Sequence, residues 1–109
     1  MEGNWLLPGT NWRLVEINGA PAAAEVTATL TEDGRVVGQA PCNRFTAPYT
    51  GRWPDLTFAP AASTRMACPD LAAETAFFAA LGAVNHAAIG DAGLVLSGPG
   101  GVSLRFVRI

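Results

Sequence analysis

The stretch VTATLTEDGRVVG, residues 26–38, decides the fold of this chain. Its apolar residues Val26, Ala28 and Leu30 alternate with three threonines, and this period of two is typical of a strand that buries one face. Residues 32–35, Glu-Asp-Gly-Arg, then supply a turn before a second run that begins with two valines. The stretch therefore predicts an antiparallel β-hairpin.

Short strand patterns continue on both sides of this hairpin. They are separated by turns rich in glycine and proline, and they cover residues 11–18, 45–49, 56–58, 84–89, 94–96 and 102–109. With the hairpin, they predict seven or eight short strands joined mostly by tight connections. Connections of that length favour antiparallel neighbours.

The pattern changes once, at residues 70–81, DLAAETAFFAAL. These residues are good helix formers, Pro69 and Asp70 suit a helix start, and Gly82 suits its end. We expect one α-helix here, inserted after the fifth strand. A parallel α/β fold is excluded, because it needs a helix after nearly every strand. The predicted fold is mainly β, a curled antiparallel sheet or barrel with the helix closing an open side.

Composition sets limits on the class of protein. A chain of 109 residues, half of them apolar and 15% charged, fits one compact domain over residues 1–109, with 1–10 as a lead-in segment. The net charge is -2, and no basic stripe suits a nucleic acid. No apolar run reaches the 18 residues of a transmembrane helix, and no export signal is recognisable near Met1.

Each of the two cysteines lies where one structural pattern gives way to another. Cys42 lies in GQAPCNRF, residues 38–45, and Cys68 lies in STRMACP, residues 63–69. We predict a disulfide between them, which closes a loop of about 27 residues. The alternatives are buried free thiols, a redox switch, or a nucleophile at Cys42.

The two cysteine segments, together with WRLVEING at residues 12–19, Tyr49 and Glu74, resemble the META domain, or HslJ-like, family. The resemblance implies a barrel-like, lipocalin-like β-domain with one helix. It also implies an exported or outer-membrane-associated bacterial protein, periplasmic in its native form, related to heat and envelope stress and to drug tolerance. No enzymatic activity is established for that family.

Glu74 lies in the predicted helix within an apolar stripe formed by Leu71, Phe78 and Leu81. A buried carboxylate needs partners, and we predict a structural polar tie from Glu74 to the loop around Asn43, with Arg44 and Arg65 as candidate cations. The alternative for Glu74 is a general acid or base with a raised pKa.

Other side chains are candidates for binding or packing and not for catalysis. Tyr49, Arg52 and Trp53 form a candidate binding surface, although arginine stems that cover a barrel end are an equally ordinary interpretation. Met66 is expected to fill core space, and His86 to lie at the surface.

The β-rich layout and the lack of a catalytic set favour a non-enzymatic binding or structural module, and the resemblance implies that it belongs to the bacterial cell envelope. Its expected partner is another envelope protein, a peptide or a small apolar ligand. The alternative is a small enzyme or redox protein that uses Cys42 with Glu74 and His86. We predict no cofactor and no metal, because Cys42, Cys68 and His86 are scattered ligands.

Overall fold

The computed structural model describes residues 10–31, 33–52, 54–64, 66–91 and 93–109. The expected lead-in segment thus lies, except for Thr10, outside the described residues. The strands of the described chain are β1 (Asn11–Ile17), β2 (Ala20–Pro21), β3 (Thr27–Leu30), β4 (Arg35–Gln39), β5 (Arg44–Arg52), β6 (Asp55–Phe58), β7 (Ala62–Ser63), β8 (His86–Gly90), β9 (Gly93–Ser97) and β10 (Ser103–Arg108). Helix α1 (Leu71–Leu81) lies between β7 and β8.

The strands form a curled antiparallel sheet in the order β6-β5-β4-β3-β1-β10-β9-β8. The expected hairpin is β3 with β4, in which Leu30 pairs with Val36. The two ends of the sheet meet where the Ala87 amide donates to the Pro54 carbonyl at 2.8 Å. The mainly β, barrel-like prediction is therefore confirmed. The helix follows the seventh strand rather than the fifth, because the short strands β2 and β7 flank the main sheet.

The barrel interior is filled by side chains. Alternate residues of the strands point inward, as the period of two requires, among them Trp12, Leu30, Phe45, Leu96 and Phe106. A cavity of about 30 Å³ remains between these apolar side chains. That volume is far below the roughly 300–1,000 Å³ of pockets that hold ligands. The interior therefore has no space for the small apolar ligand that a larger barrel of lipocalin type holds.

Helix α1 closes one end of the barrel. Its buried face consists of Glu74, Phe77, Ala80 and Leu81, and the ring of Phe77 meets Phe45 edge-on at 5.5 Å. Burying a phenylalanine in this way stabilises the fold by roughly 1.5–3 kcal/mol. Of the expected apolar stripe, Leu81 is buried and Phe78 is partly buried. Leu71 is 42% exposed, because the helix is rotated to bring Phe77 into the barrel.

The strand expected at residues 84–89 begins later, at His86. Helix α1 ends in a turn in which the Ala83 amide donates to the Ala80 carbonyl, and Val84 is buried beneath it. Within the described part of the chain, no helix has the length and apolar character that a membrane span requires.

Candidate functional site

A disulfide joins Cys42 to Cys68, with their Cα atoms 5.7 Å apart. The predicted pairing is confirmed. The bridge links the turn after β4 to the segment between β7 and α1, so that it fastens the barrel wall to the start of the helix. A cysteine held in a disulfide has no free thiolate to act as a nucleophile.

Glu74 lies directly beside this disulfide and is only 3% exposed. Its Oε1 accepts hydrogen bonds from the backbone amides of Cys42 and Asn43, both at 2.8 Å. Its Oε2 accepts a third hydrogen bond, at 2.6 Å, from Nδ2 of Asn43. These three hydrogen bonds give both oxygens of the buried carboxyl group a partner. They connect α1 to the Cys42 turn, where the polar tie was expected.

The side chain of Asn43 extends the contact from α1 to the segment after β7. Its Oδ1 accepts from the Met66 amide at 2.7 Å and from the Thr64 hydroxyl at 2.8 Å. Its Nδ2 also donates to the Met66 carbonyl at 3.0 Å. The carboxamide therefore pairs with the backbone of Met66 as a residue of a neighbouring strand does. Asn43 was predicted to belong to the polar tie with Glu74. Its contacts with Thr64 and Met66 were not predicted, and no local pattern of the sequence signals them.

The structure describes one of the two arginines that were expected around Glu74. Arg44 is exposed on β5, since the alternation of the strand turns Asn43 and Phe45 inward and the residue between them outward. Among the described contacts, the partners of Glu74 are amide groups and not this guanidinium. Arg65, the other candidate, lies outside the described residues, as does Trp53 of the expected binding surface.

The two described members of that expected surface differ in burial. Tyr49 is half-buried, and its ring lies 5.7 Å from that of Phe58 at the edge of the core. Arg52 is exposed at the end of β5. His86 is also exposed, with Nδ1 3.7 Å from a carboxylate oxygen of Asp55, and no described contact brings it to Cys42 or Glu74.

The environment of Tyr49 makes a titration prediction possible. Burial, and then the negative charge of Asp33, raise the pKa of Tyr49 above its usual value of 10.0. Tyr49 is the single tyrosine of the sequence, so ultraviolet absorbance reports on it alone. We expect a midpoint above 10.0 in the folded protein, moved part of the way back by Asp33→Asn.

The raised pKa of Tyr49 determines whether the free energy of unfolding rises or falls with pH. The unfolded chain ionises its tyrosine more readily, so this group lowers the free energy of unfolding as pH rises above about 10. A folded-state midpoint at or below the value in denaturant would contradict this prediction.

A surface groove lies between α1 and the segment that follows β7. Its volume is about 370 Å³. We call it the α1 groove, and its lining residues are Asn43, Ser63, Thr64, Met66, Ala67, Leu71, Glu74 and Phe78. Met66 was expected to fill core space, and this is wrong, since its side chain is 64% exposed while its backbone is held by Asn43. The groove thus combines apolar walls with a hydrogen-bonded base.

These features define a small antiparallel β-barrel domain that is closed by one helix and cross-linked to it by a disulfide. The family model of the META domain matches residues 5–109, and the chain belongs to this family. The family assignment made from the sequence is therefore confirmed.

A solved NMR structure of a protein from Burkholderia xenovorans is similar to this chain, with a TM-score of 0.75 and 27% sequence identity. The match covers 95% of this chain and 84% of that one. Among curated proteins, none matches the chain at a significant level.

Proposed function

We propose that this domain is a non-enzymatic binding module of the bacterial cell envelope, and that it binds a segment of a partner protein in the α1 groove. The observation that carries the proposal is the exposure of two apolar side chains, Met66 and Leu71, on the walls of one groove. Large apolar side chains that lie together at a surface commonly mark an interaction site.

The size and base of the α1 groove support this choice over the barrel interior. Pockets that hold ligands usually measure 300–1,000 Å³, and the groove has about 370 Å³ where the interior has about 30 Å³. The hydrogen bonds of Glu74 and Asn43, with the disulfide, hold the base of the groove in place before a partner arrives. Such preorganisation reduces the entropy that is lost on binding.

The disulfide supports the proposed location. Disulfides persist in oxidising compartments such as the periplasm and are rare in the cytosol. With membership of the META domain family, this favours a periplasmic or outer-membrane-associated protein. We extend to this chain the family's relation to heat and envelope stress and to drug tolerance, as part of the proposal.

The non-enzymatic part of the proposal rests on the state of the cysteines. An enzyme or redox protein centred on Cys42 requires a thiolate, and Cys42 is bonded to Cys68. No described contact joins His86 to Glu74, the other two groups that such a mechanism would use.

The proposal is tested with peptides selected on the oxidised protein from a displayed random library and then measured singly by fluorescence anisotropy. Leu71→Asp places a charge on one wall of the groove, and we expect it to weaken binding about tenfold or more, as loss of an apolar anchor does. Ile109→Asp is the matched control, because Ile109 is 70% exposed and does not line the groove. It should change the affinity less than about twofold. Peptides that bind Leu71→Asp and wild type equally would refute the proposal.

A further inference from the structure

Met66 exposes a thioether to solvent at the α1 groove. The residue is 64% exposed. Methionine more commonly fills irregular gaps in a core, where packing shields its sulfur atom. The rate at which an oxidant attacks sulfur depends on how far the atom is exposed. The thioether of Met66 is therefore within reach of a small oxidant such as hydrogen peroxide.

The cysteines of the chain do not compete for such an oxidant. Both of them are joined in the disulfide, and neither is a free thiol. The other methionine of the sequence, Met1, lies outside the described residues. Among the sulfur atoms that the structure describes, the thioether of Met66 is thus the one that peroxide can oxidise under mild conditions.

The backbone of Met66 is held in place, and this confines the effect of oxidation to the groove. Its amide donates to Oδ1 of Asn43 at 2.7 Å, and its carbonyl accepts from Nδ2 of the same residue at 3.0 Å. The side chain takes no part in these bonds. It lines the groove together with Leu71 and Phe78. An oxygen atom added to the sulfur therefore places a polar group beside apolar side chains and leaves the backbone contacts intact.

We propose that Met66 is a site of reversible oxidation that controls binding in the α1 groove. The sulfur lone pair attacks one oxygen of a peroxide, and the O–O bond breaks. The second oxygen leaves with the proton of the first, so that hydrogen peroxide releases water. The sulfur is oxidised by two electrons and the peroxide is reduced by two. The product, methionine sulfoxide, is polar, and methionine sulfoxide reductases restore the thioether.

The control of binding rests on the proposed function, whereas the oxidation of Met66 does not. A first experiment therefore measures oxidation without a ligand. Disulfide-bonded protein is treated with hydrogen peroxide, and peptide mapping by mass spectrometry follows the sulfoxide at Met66 separately from Met1. Because Met66 is exposed, we expect its rate in the folded protein to be within about threefold of its rate in urea-unfolded protein. A larger protection by folding would overturn the proposal.

The same treated protein tests whether the modification is reversible. Methionine sulfoxide reductases of both stereospecificities should remove the added oxygen from Met66 while the protein remains folded. A sulfoxide that these enzymes leave in place would overturn reversibility. Urea unfolding should give nearly the same midpoint before and after peroxide treatment, since the side chain lies outside the core. A clear fall in the midpoint would mean damage to the fold and would also overturn the proposal.

A second experiment measures affinity for the peptides selected above, by fluorescence anisotropy, before and after peroxide treatment. We expect the sulfoxide to weaken binding about fivefold or more, because a polar group replaces an apolar contact. Met66→Leu is the matched control, since leucine keeps the wall apolar and cannot form a sulfoxide. Peroxide treatment should change the affinity of this variant less than about twofold. An equal loss in Met66→Leu would place the effect at another residue and overturn the proposal.

The outcomes separate this proposal from the proposed function. Treated wild type that binds as tightly as untreated protein, with binding still lost in Leu71→Asp, would overturn the control by Met66 and keep the groove as a site. Peptide binding that neither Leu71→Asp nor peroxide weakens would remove both.

Discussion

Glu74→Ala lowers the free energy of unfolding by about 3–5 kcal/mol. The carboxylate is buried and accepts three hydrogen bonds from Cys42 and Asn43. Alanine removes the acceptor of all three hydrogen bonds at a position that is only 3% exposed. Urea unfolding of the oxidised protein, followed by tryptophan fluorescence, measures the loss.

Two further variants show whether the carboxylate of Glu74 is responsible for this loss of stability. Glu74→Gln keeps the shape of the side chain, but when its oxygen accepts from the two backbone amides, its own NH₂ group faces Nδ2 of Asn43. We expect an intermediate loss of about 2 kcal/mol. Glu25→Ala removes an exposed carboxylate and should change stability by less than about 0.5 kcal/mol. A loss below about 1 kcal/mol in Glu74→Ala would show that the polar tie is not structural.

The second large effect concerns the disulfide. Replacing both Cys42 and Cys68 by serine should lower the free energy of unfolding by about 3–4 kcal/mol, because the bridge closes a loop between residues 26 positions apart. That is a large fraction of the total stability of a small domain. Urea unfolding of the double variant beside oxidised wild type gives the difference.

A reducing agent provides the control for this measurement. Reduced wild type should unfold at nearly the same urea concentration as the double serine variant, and the variant should not respond to the reductant. A double variant as stable as the oxidised protein would mean that the hydrogen bonds of Glu74 and Asn43 alone hold the turn after β4 to the helix.

The fold was predictable from local patterns. The alternation of residues 26–38 predicted the hairpin of β3 and β4, and the helix formers of residues 70–81 predicted α1, which begins one residue later. The cysteine segments predicted both the family and the bridge. Each of these signals is carried by residues close together in the chain or by a motif, and local sequence is sufficient to specify them.

The arrangement of the site was only partly predictable, because it depends on how distant segments dock. Helical periodicity suggested a buried stripe through Leu71, whereas the fit of Phe77 into the open barrel end set the actual rotation of α1. Met66 is apolar and was assigned to the core, but its backbone is paired with an amide 23 residues away, and this turns the side chain outward. No local pattern contains such a pairing.

The carboxamide of Asn43 uses its full hydrogen-bonding capacity, with two hydrogens donated and two lone pairs occupied. Aspartate is isosteric but has no hydrogens to give, and glutamine reaches one methylene too far, so neither near relative reproduces the geometry. The Asn43 side chain thus joins α1, the turn at Cys42 and the segment after β7 through hydrogen bonds that no other side chain can reproduce. Among the polar residues that the structure describes, position 43 should tolerate the fewest substitutions.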